Sequence, residues 1–420
     1  MGWGLKKDWS LSDLESLTLR KEEDHLLYKE SSEGLLVPRG YEGFAHKDPL
    51  ETLGEELSEF TPISLRDEQK PAVEAVMNHL RERGTGAVLY APCGKGKTVM
   101  GLDIIRRLNR TALVLVHKSF LVDQWVDRIK TFLPEAKVGL WQRDIIPTGD
   151  EDIVIGMVQS LVNPKREYDP SIYRMFGTLI CDETHRYGAP MWQEAISKMP
   201  ARFRIGLTAT PERKDGLQEI IFLHIGPIVY EMEGHTRVPS IWRIDTDTHF
   251  APRSYKLWNG EVNTSKLVTM VSKVPERTDL IVTYCLRALK TGRKILILSE
   301  RVAHVKEMVS LLKELVTEDF TVDKYIGGMT SKARVISSRA DVIVGTYAMA
   351  QEGLDIPELD TLILATPKTS ITQSVGRILR DSPNKKSPIV LDIVDSRIEV
   401  LTAYWWARRK VYERHSYKYV

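Results

Sequence analysis

The sequence APCGKGKT, residues 91–98, joins an apolar run, AVLY at 87–90, to a helical pattern, TVMGLDIIRRL at 98–108. Glycines at positions 94 and 96 let backbone N–H groups turn inward around an anion, and the N-terminus of a helix adds partial positive charge. This succession of strand, loop and helix predicts a phosphate-binding loop, although Ala91 stands where the G-x-x-x-x-G-K-[ST] pattern begins with glycine. The alternative is a glycine-rich turn that binds nothing.

Short apolar runs alternate with helical patterns along most of the chain, which indicates parallel sheets covered by helices. In the first half these runs lie at 87–90, 112–116, 153–155, 178–181 and 204–207. A second series of apolar runs follows a predicted helix at 276–290. Its strands are expected at 294–299, 322–325, 342–344, 361–365 and 389–393. We therefore expect an α/β protein with two tandem doubly wound parallel-sheet lobes.

The composition is that of a globular protein with 420 residues, of which 42% are apolar and 28% charged. No stretch approaches the roughly 18–20 uncharged apolar residues that cross a bilayer, and the N-terminus lacks the apolar core of a secretory signal. The three cysteines lie far apart without a C-x-x-C pair, which excludes a disulfide framework and a zinc knuckle. These features predict a cytoplasmic protein without a membrane partner.

Charge is unevenly distributed along the chain. Residues 1–60 hold 7 of the 59 Lys/Arg but 14 of the 57 Asp/Glu, so the remaining 360 residues carry a surplus of nine basic groups. That surplus is compatible with a polyanionic partner, although it does not require one.

Polar residues that suit phosphoryl transfer follow two of the expected strands. Lys97 can reach the β- and γ-phosphates of a nucleotide, and the hydroxyl of Thr98 can ligate Mg²⁺. After the strand TLIC come Asp182, which can hold the hydration shell of Mg²⁺, and Glu183, which can orient or deprotonate a water molecule. His185 can couple this site to its neighbours. The alternative is that DETH forms a solvated turn.

Taken in order, these motifs and several others resemble those of superfamily 2 helicases and translocases of the DExH type, over residues 63–395 or so. The resemblance implies two RecA-like lobes, with ATP and Mg²⁺ as cofactors. In the first lobe it implies that Gln69 reads the adenine edge with support from Arg66. It further implies nucleotide contacts at Gly94, Lys95 and Gly96, nucleic-acid contacts at Lys118 in motif Ia and Gln159 in motif Ib, and coupling by Thr208 and Thr210 of GLTATP, motif III.

The second half supplies segments that resemble motifs IV to VI: ILSERVAHV at 297–305, GTYAMAQEGLDIP at 345–357 and QSVGRILR at 373–380. The resemblance implies a nucleic-acid contact at Thr346 and nucleotide contacts at Gly353 and Asp355. The alternative for Lys118, Gln159 and Thr346 is that each is a surface or capping residue. The resemblance also implies that Gln373 positions water and the γ-phosphate, and that Arg377 and Arg380 are arginine fingers. On an α-helix these three side chains would share one face. The alternative is an exposed basic helix face.

The wording DETHRYG, GLTATPERKDG and QSVGRILR resembles the XPB/UvsW-like branch, which includes phage DNA helicases. It implies an ATP-dependent DNA helicase that remodels forks and Holliday junctions in replication, recombination or repair, in a bacterial or phage-infected cytosol. Its partner would be branched DNA, bound without regard to sequence by a protein that we expect to be a monomer. An RNA helicase and a nucleic-acid-binding ATPase switch that does not unwind remain alternatives.

Five segments are expected along the chain. They are a small N-terminal accessory domain at 1–60, a first lobe at 61–227, an interlobe connection or second-lobe insertion at 228–274, a second lobe at 275–397, and an aromatic and basic C-terminal helix at 398–420. For that helix we favour docking on a lobe over nucleic-acid binding. Between the lobes, GPIVYEMEGHTRVPS at 226–240 is typical of a hairpin or a loop.

Overall fold

The computed structural model describes residues 3–6, 29–31, 34–38, 51–83, 86–92, 94–184, 190–209, 218–233, 237–354, 356–380 and 382–420. The chain divides into two compact units, residues 1–234 and 235–420.

The N-terminal segment contains a three-stranded antiparallel sheet. Its strands are β1 (Trp3–Lys6), β2 (Lys29–Ser31) and β3 (Gly34–Pro38), in the order β1-β3-β2. The rest of the expected accessory domain up to residue 50 lies outside the described residues. Residues 51–60, predicted to belong to that domain, are part of the first lobe instead: Leu57 and Phe60 are buried in its core.

The first lobe is a sheet of seven parallel strands in the order β10-β4-β9-β8-β5-β7-β6. Its strands are β4 (Gly86–Tyr90), β5 (Ala112–Val116), β6 (Val138–Trp141), β7 (Ile153–Met157), β8 (Thr178–Asp182), β9 (Phe203–Thr208) and β10 (Ile228–Glu231). Its helices are α1 (Lys70–Arg83), α2 (Lys97–Leu108), α3 (Ser119–Phe132), α4 (Val158–Leu161), α5 (Ser171–Arg174), α6 (Pro190–Ser197) and α7 (Gln218–His224). Apolar clusters cover both faces of the sheet, which explains why the central strands are almost continuously apolar.

The second lobe repeats this architecture with seven parallel strands in the order β13-β14-β12-β15-β16-β11-β17. Its strands are β11 (Ser240–Asp245), β12 (Ile295–Ser299), β13 (Val322–Tyr325), β14 (Val342–Thr346), β15 (Thr361–Leu364), β16 (Ile389–Val394) and β17 (Lys418–Tyr419). Its helices are α8 (Thr264–Val271), α9 (Pro275–Lys290), α10 (Val302–Leu315), α11 (Ser331–Ser337), α12 (Tyr347–Gly353), α13 (Thr372–Gly376) and α14 (Glu399–Arg414). This architecture confirms the predicted fold class.

The segment between the expected lobes contains strands of both sheets. Strand β10 pairs with β4 in the first sheet, whereas β11 pairs with β16 in the second, so these two strands do not form a hairpin with each other. Residues 246–274, between β11 and α9, form an insertion in the second lobe that contains a 3₁₀ turn, a short hairpin and α8.

The C-terminal helix α14 packs on the second sheet, in agreement with the prediction that this helix docks on a lobe. Tyr412 is fully buried in the core on one face of this sheet, and β17, which follows the helix, adds a strand beside β11. Among the residues that the structure describes, no helix has both the length and the apolar character that crossing a membrane requires.

Candidate nucleotide site and nucleic-acid face

The order of strands in the first sheet brings its motifs together at one edge. Parallel strands place their carboxyl ends at the same edge, where open α/β sheets bind ligands. The phosphate loop follows β4, motif III follows β9, the DExH residues follow β8, motif Ia follows β5 and motif Ib follows β7. Since β4, β9, β8, β5 and β7 are consecutive neighbours, these segments lie side by side.

The phosphate loop is held by contacts within the lobe. The N–H of Ala91 donates to the carbonyl of Thr208 (2.9 Å), which fixes the start of the loop to the end of β9. The ammonium of Lys97 donates to the carbonyl of Ala91 (3.1 Å). Gly96 has a φ of 81°, a left-handed conformation that favours glycine, immediately before α2 begins. The loop therefore has the backbone that its glycine spacing predicts, and Thr98 lies in the first turn of α2.

Gln69 and Arg66 lie against the phosphate loop. The amide Nε2 of Gln69 donates to the carbonyl of Lys95 (2.8 Å), while its Oε1 accepts from the N–H of Arg66 (3.0 Å). Nη2 of Arg66 donates to the carbonyl of Gly94 (3.3 Å). Both side chains that the sequence singled out therefore support the loop directly.

The side chain of Lys95 has a role that the sequence did not reveal. Its ammonium forms an ion pair with the carboxylate of Glu68 (Nζ–Oε2, 2.6 Å), and Arg66 pairs with the other oxygen of the same carboxylate (Nη1–Oε1, 3.2 Å). The ammonium of Lys95 thus links the loop to the segment that carries Gln69.

Asp182 is buried at the end of β8, with an exposed fraction of 7%. Its Oδ2 accepts a hydrogen bond from the indole Nε1 of Trp125 (2.9 Å), and its Oδ1 accepts from the N–H of Glu183 (2.9 Å). Burial and the neighbouring Glu183 carboxylate raise the pKa of Asp182 to about 6, against the opposing effects of the Trp125 hydrogen bond and the Lys97 ammonium. Two hydrogen bonds therefore hold the Asp182 carboxylate in place at the end of β8.

Glu183 and Thr184 complete the turn after β8. Glu183 has a φ of 52°, which is uncommon for a residue with a side chain and points to a constrained functional turn. The hydroxyl of Thr184 is within hydrogen-bonding distance of the carbonyls of Cys181 (2.8 Å) and Leu207 (3.0 Å), and so ties β8 to β9. This contact connects the DExH turn to motif III.

The donor set at this edge suits a magnesium ion held partly by a nucleotide. Mg²⁺ prefers hard oxygen ligands, and it is usually bound by one or two carboxylates together with substrate phosphates. Asp182 supplies the carboxylate and Thr98 a hydroxyl. Within the described ranges no group of three or more His, Cys, Asp or Glu residues could hold a metal by itself.

Motifs Ia and Ib are connected through a backbone contact. The side-chain amide of Gln159 donates to the carbonyl of His117 (3.0 Å), directly before Lys118, which is the N-terminal capping residue of α3. Gln159 therefore positions motif Ia. Direct contacts of Lys118 and Gln159 with nucleic acid stay a prediction, as does the contact of Thr346, the capping residue of α12.

The structure corrects the prediction for motif VI. Helix α13 carries Gln373 but ends at Gly376, so Gln373, Arg377 and Arg380 do not share one α-helix. The N–H of Arg377 donates to the carbonyl of Ser374 (3.2 Å), which is the i→i+3 bond of a tighter turn. Arg377 keeps α-helical backbone angles as the C-terminal capping residue of α13 (φ −68°, ψ −33°), whereas Arg380 lies in a bend beyond the helix.

Arg377 also connects motif VI to motif V. It is buried, and its Nη1 donates to the carbonyl of Leu354 (2.9 Å), the residue after Gly353. Arg380 is half-buried. Three predicted site residues, His185, Thr210 and Asp355, lie outside the described residues.

Comparison with known proteins agrees with this arrangement. The family "Type III restriction enzyme, res subunit" matches residues 62–213, and the family "Helicase conserved C-terminal domain" matches residues 277–382. The "Putative ATP-dependent RNA helicase" of Acanthamoeba polyphaga mimivirus is 36% identical over 363 residues, which cover 84% of this chain and 68% of the viral protein. The chain belongs to the superfamily 2 helicases. Its activity class is therefore that of an ATP-dependent nucleic-acid helicase.

Other similarities extend over the same region. A protein of the same name from African swine fever virus is 25% identical over 386 residues, covering 85% of this chain and 74% of the relative. A "Putative helicase" from Invertebrate iridescent virus 6 is 27% identical over 371 residues, covering 84% and 81%. The crystal structure of the Pyrococcus furiosus Hef helicase domain has a TM-score of 0.51 at 15% identity, covering 82% of this chain and 99% of that domain, and this likeness concerns the fold.

Some contacts in the site could not have been found from the sequence. Trp125 stands within the motif Ia segment, but nothing in its spacing indicates that its indole bonds to a carboxylate 57 residues away. Thr184 lies inside the DExH tetrapeptide, where a hydroxyl at a strand end is a weak signal for a bond between strands. Glu68 lies beside Gln69, yet its pairing with Lys95 depends on how α1 meets the loop.

Proposed function

We propose that the protein is an ATP-driven motor that moves along one strand of DNA and remodels branched or forked duplexes. The observation that carries this proposal is geometric: the glycine-rich loop after β4 and the buried Asp182 at the end of β8 lie at the same edge of one sheet, with only β9 between the two strands. The neighbouring loops of motifs Ia and Ib at the same edge could hold a strand beside the nucleotide. ATP hydrolysis would then change the conformation of strand-binding loops that lie directly beside the nucleotide.

Individual residues have proposed roles in ATP hydrolysis. Lys97 binds the phosphates, Thr98 and Asp182 hold Mg²⁺, and Glu183 orients the attacking water. When bound, the metal ion would offset negative charge on the phosphates. From the second lobe, Gln373, Arg377 and Arg380 act on the γ-phosphate, as the resemblance implies. We assign Gly353 and Asp355 to the nucleotide, and His185, Thr208 and Thr210 to coupling.

Two observations support DNA as the strand. The first is the resemblance to the XPB/UvsW-like branch, carried by the motifs DETHRYG, GLTATPERKDG and QSVGRILR. The second is that residues 62–213 match a family described as a restriction enzyme subunit, and restriction enzymes act on DNA. The expected roles in recombination and repair, and the expected cytoplasmic location, remain predictions.

RNA is a second candidate substrate, supported by the names of relatives. The mimivirus and African swine fever virus proteins are both named as RNA helicases. ATP hydrolysis should be compared in the presence of fork DNA, a four-way junction, plain duplex DNA and structured RNA. Stimulation and strand displacement with fork or junction DNA alone support the leading proposal. Stimulation by RNA alone would replace it with the RNA candidate, and ATP-dependent binding without displacement would indicate a switch.

The Lys97→Ala variant tests the ATP site. Removal of the ammonium should abolish nucleic-acid-stimulated ATP hydrolysis while binding of nucleic acid is retained, since phosphate contacts of the strand are made elsewhere. Lys70→Ala is the control, because Lys70 is exposed and pairs only with exposed Asp67 among the contacts described (2.7 Å). Undiminished phosphate release by Lys97→Ala would refute the assignment.

A further inference from the structure

The insertion in the second lobe contains a hairpin, directly before α8, whose tip exposes a tryptophan. Trp258 has an exposed fraction of 99%, and its neighbour Leu257 is also exposed. Burial of an indole is strongly favourable, so a tryptophan held in full contact with water is a feature to be explained when the surrounding backbone is ordered.

The hairpin is ordered by its own hydrogen bonds. Lys256 and Val262 form an antiparallel bridge, and the N–H of Leu257 donates to the carbonyl of Glu261 (2.8 Å). Across the tip, Nδ2 of Asn259 donates to the carboxylate of Glu261 (2.9 Å), and Gly260 takes a φ of 85° that closes the turn. These backbone and side-chain hydrogen bonds therefore hold the turn in a conformation in which Trp258 is exposed to solvent.

The insertion is fixed to the second lobe by an apolar core of its own. Tyr255, Leu267 and Val271 from the insertion pack with Ile398 and Leu401, at the start of α14. The hairpin thus stands on a base that is continuous with the lobe.

A second attachment joins the insertion to motif IV. The guanidinium of Arg301, directly before α10, donates to the hydroxyl of Thr269 (2.9 Å) and to the carbonyl of Ser265 (2.7 Å), both on α8. Any strand held by motif IV would therefore pass beside α8 and the hairpin.

The surface of the insertion is basic. Arg253, Lys256, Lys266 and Lys273 are all exposed. Of the two acidic residues in 246–274, Asp247 pairs with Arg397 (2.6 Å) and Glu261 is bound by Asn259. Along α8 a groove of about 570 Å³ is lined by Asn263, at the end of the hairpin, and by Lys266 and Lys273. This surface has the charge that complements a phosphate backbone.

We propose that the hairpin at residues 255–263 is a base-stacking site, at which Trp258 stacks on an unpaired nucleobase while the basic residues of the insertion hold the flanking phosphates. An aromatic platform beside a positively charged groove is how proteins bind single strands without regard to sequence. The inference rests on the proposed function, because it needs a strand to be bound. It adds a contact that none of the helicase motifs provides.

The test uses the full-length protein and short oligonucleotides. Binding of single-stranded DNA and of RNA is compared with binding of the same DNA backbone with abasic positions, which keeps the phosphates and removes the bases. Trp258→Ala should bind the base-containing strands about 5- to 150-fold more weakly, the range expected for loss of one stacking contact. It should bind the abasic strand as the unaltered protein does. If the variant loses affinity for DNA, the stacked base belongs to DNA; if it loses affinity for RNA, the base belongs to RNA.

Two further variants separate stacking from other effects. Trp258→Phe should retain most of the affinity because it keeps an aromatic face, whereas Trp258→Leu should lose it. Trp406→Ala is the control: Trp406 is also exposed, but the guanidinium of Arg409 already covers its ring (5.0 Å to the centroid). Because the side chain of Trp258 is exposed, its removal should leave the thermal unfolding midpoint unchanged.

The possible failures can be told apart. If nucleic acid stimulates ATP hydrolysis by the unaltered protein but Trp258→Ala binds every strand as tightly, the stacking site is overturned and the proposed function stands. If Trp258→Leu binds like Trp258→Phe, the contact is apolar rather than stacked, as a protein partner would require, and the proposal is overturned. If the unaltered protein neither binds nor responds to any strand, the proposed function fails as well.

Discussion

The indole Nε1 of Trp125 donates a hydrogen bond of 2.9 Å to Oδ2 of Asp182. Trp125 is fully buried on α3, the helix that begins directly after Lys118 in motif Ia, whereas Asp182 is the proposed ligand of the metal ion. One helix thus carries the predicted strand contact at its start and, two turns later, a support for the carboxylate that we propose as a metal ligand. A shift of α3 on strand binding would move this support, which gives a physical route from strand binding to ATP hydrolysis.

The Trp125→Phe variant tests this support. Phenylalanine keeps the aromatic packing but removes the donor, so Oδ2 of Asp182 loses a partner that orients it. Loss of a partner that orients a metal-binding group typically costs about 10- to 100-fold in metal affinity or activity. We expect a loss of that size in the apparent affinity for Mg²⁺, measured by titrating Mg²⁺ at saturating ATP and nucleic acid.

Trp141→Phe is the matched control for this experiment. Trp141 is also fully buried in the first lobe, but no partner in the described part of the chain accepts from its Nε1. Its replacement removes an indole of the same size without removing a hydrogen bond. Equal losses of Mg²⁺ affinity in both variants would attribute the effect to packing and contradict the role of the Trp125–Asp182 bond.

The central strands and the phosphate loop could be predicted because their signals are local. Strand β5 has the predicted bounds, and β4, β8, β12, β15 and β16 differ by one residue, since a strand buried on both faces is almost continuously apolar. The loop is encoded by Gly94 and Gly96, whose left-handed φ values of 86° and 81° few other residues tolerate.

Features that depend on distant partners could not be predicted in the same way. Strand β10 has the half-exposed sequence IVYE, and only the edge of β4 determines where it pairs. The end of α13 at Gly376 is set by contacts such as that of Arg377 with Leu354, 23 residues away. The bond between Trp125 and Asp182 arises because α3 packs against β5, the strand that pairs with β8, and residue spacing does not specify this packing.

Gly96→Ala should abolish ATP binding. A Cβ atom at this position would lie 2.2 Å from Nε2 of Gln69, and an alanine would also be strained at a φ of 81°. The clash would displace Gln69 from the carbonyl of Lys95 and distort the phosphate loop. Equilibrium binding of a fluorescent ATP analogue measures the loss.

Gly328→Ala separates strain from collision. Gly328 has the same φ of 81°, but a Cβ atom there would meet nothing within 4 Å. Its unfolding free energy should fall by about 1–2 kcal/mol, the cost of a left-handed residue with a side chain. Gly96→Ala should be destabilised by more than this, and a similar loss of stability in both variants, with ATP binding intact in Gly96→Ala, would contradict the collision.

His304 should make the second lobe sensitive to acid. Its ring is buried within hydrogen-bonding distance of Ser299 (3.1 Å) and Thr278 (3.3 Å), and burial together with the nearby Arg277 guanidinium lowers its pKa to about 3. A depressed pKa means that the unfolded chain binds the proton more readily, so the stabilising contribution is present above pH 6.5 and is lost as the pH falls toward 3. From pH 7 to pH 5 the loss should be about 2 kcal/mol.

His304→Gln removes this titration. The variant should be less stable at pH 7, but its unfolding free energy should decline less steeply between pH 7 and pH 5, as measured by urea unfolding at each pH. His249→Gln replaces an exposed imidazole and should keep the slope of the unaltered protein. Parallel pH profiles for His304→Gln and the unaltered protein would show that His304 does not carry the effect.

The C-terminal helix should be required for the stability of the second lobe rather than for nucleic-acid binding alone. Arg408 on α14 pairs with Asp392 on β16 through two contacts (Nε–Oδ2, 2.9 Å; Nη2–Oδ1, 2.8 Å), and all of these groups are buried. The hydroxyl of Tyr412 donates to the same carboxylate (2.8 Å). Truncation after Ser396 would leave Asp392 buried without these partners and remove β17 from its edge.

Breaking a buried ion pair by removing one partner costs about 3–5 kcal/mol, so Arg408→Met should lower the unfolding free energy by that amount and truncation by more. Arg409→Met is the control, because Arg409 pairs with Glu413 at the surface (2.7 Å), where such a pair contributes about 0–1 kcal/mol. Chemical unfolding monitored by circular dichroism measures the unfolding free energy of each variant and of the truncated protein. A truncated protein with unchanged stability and weakened nucleic-acid binding would instead make the helix a binding element that the fold does not need.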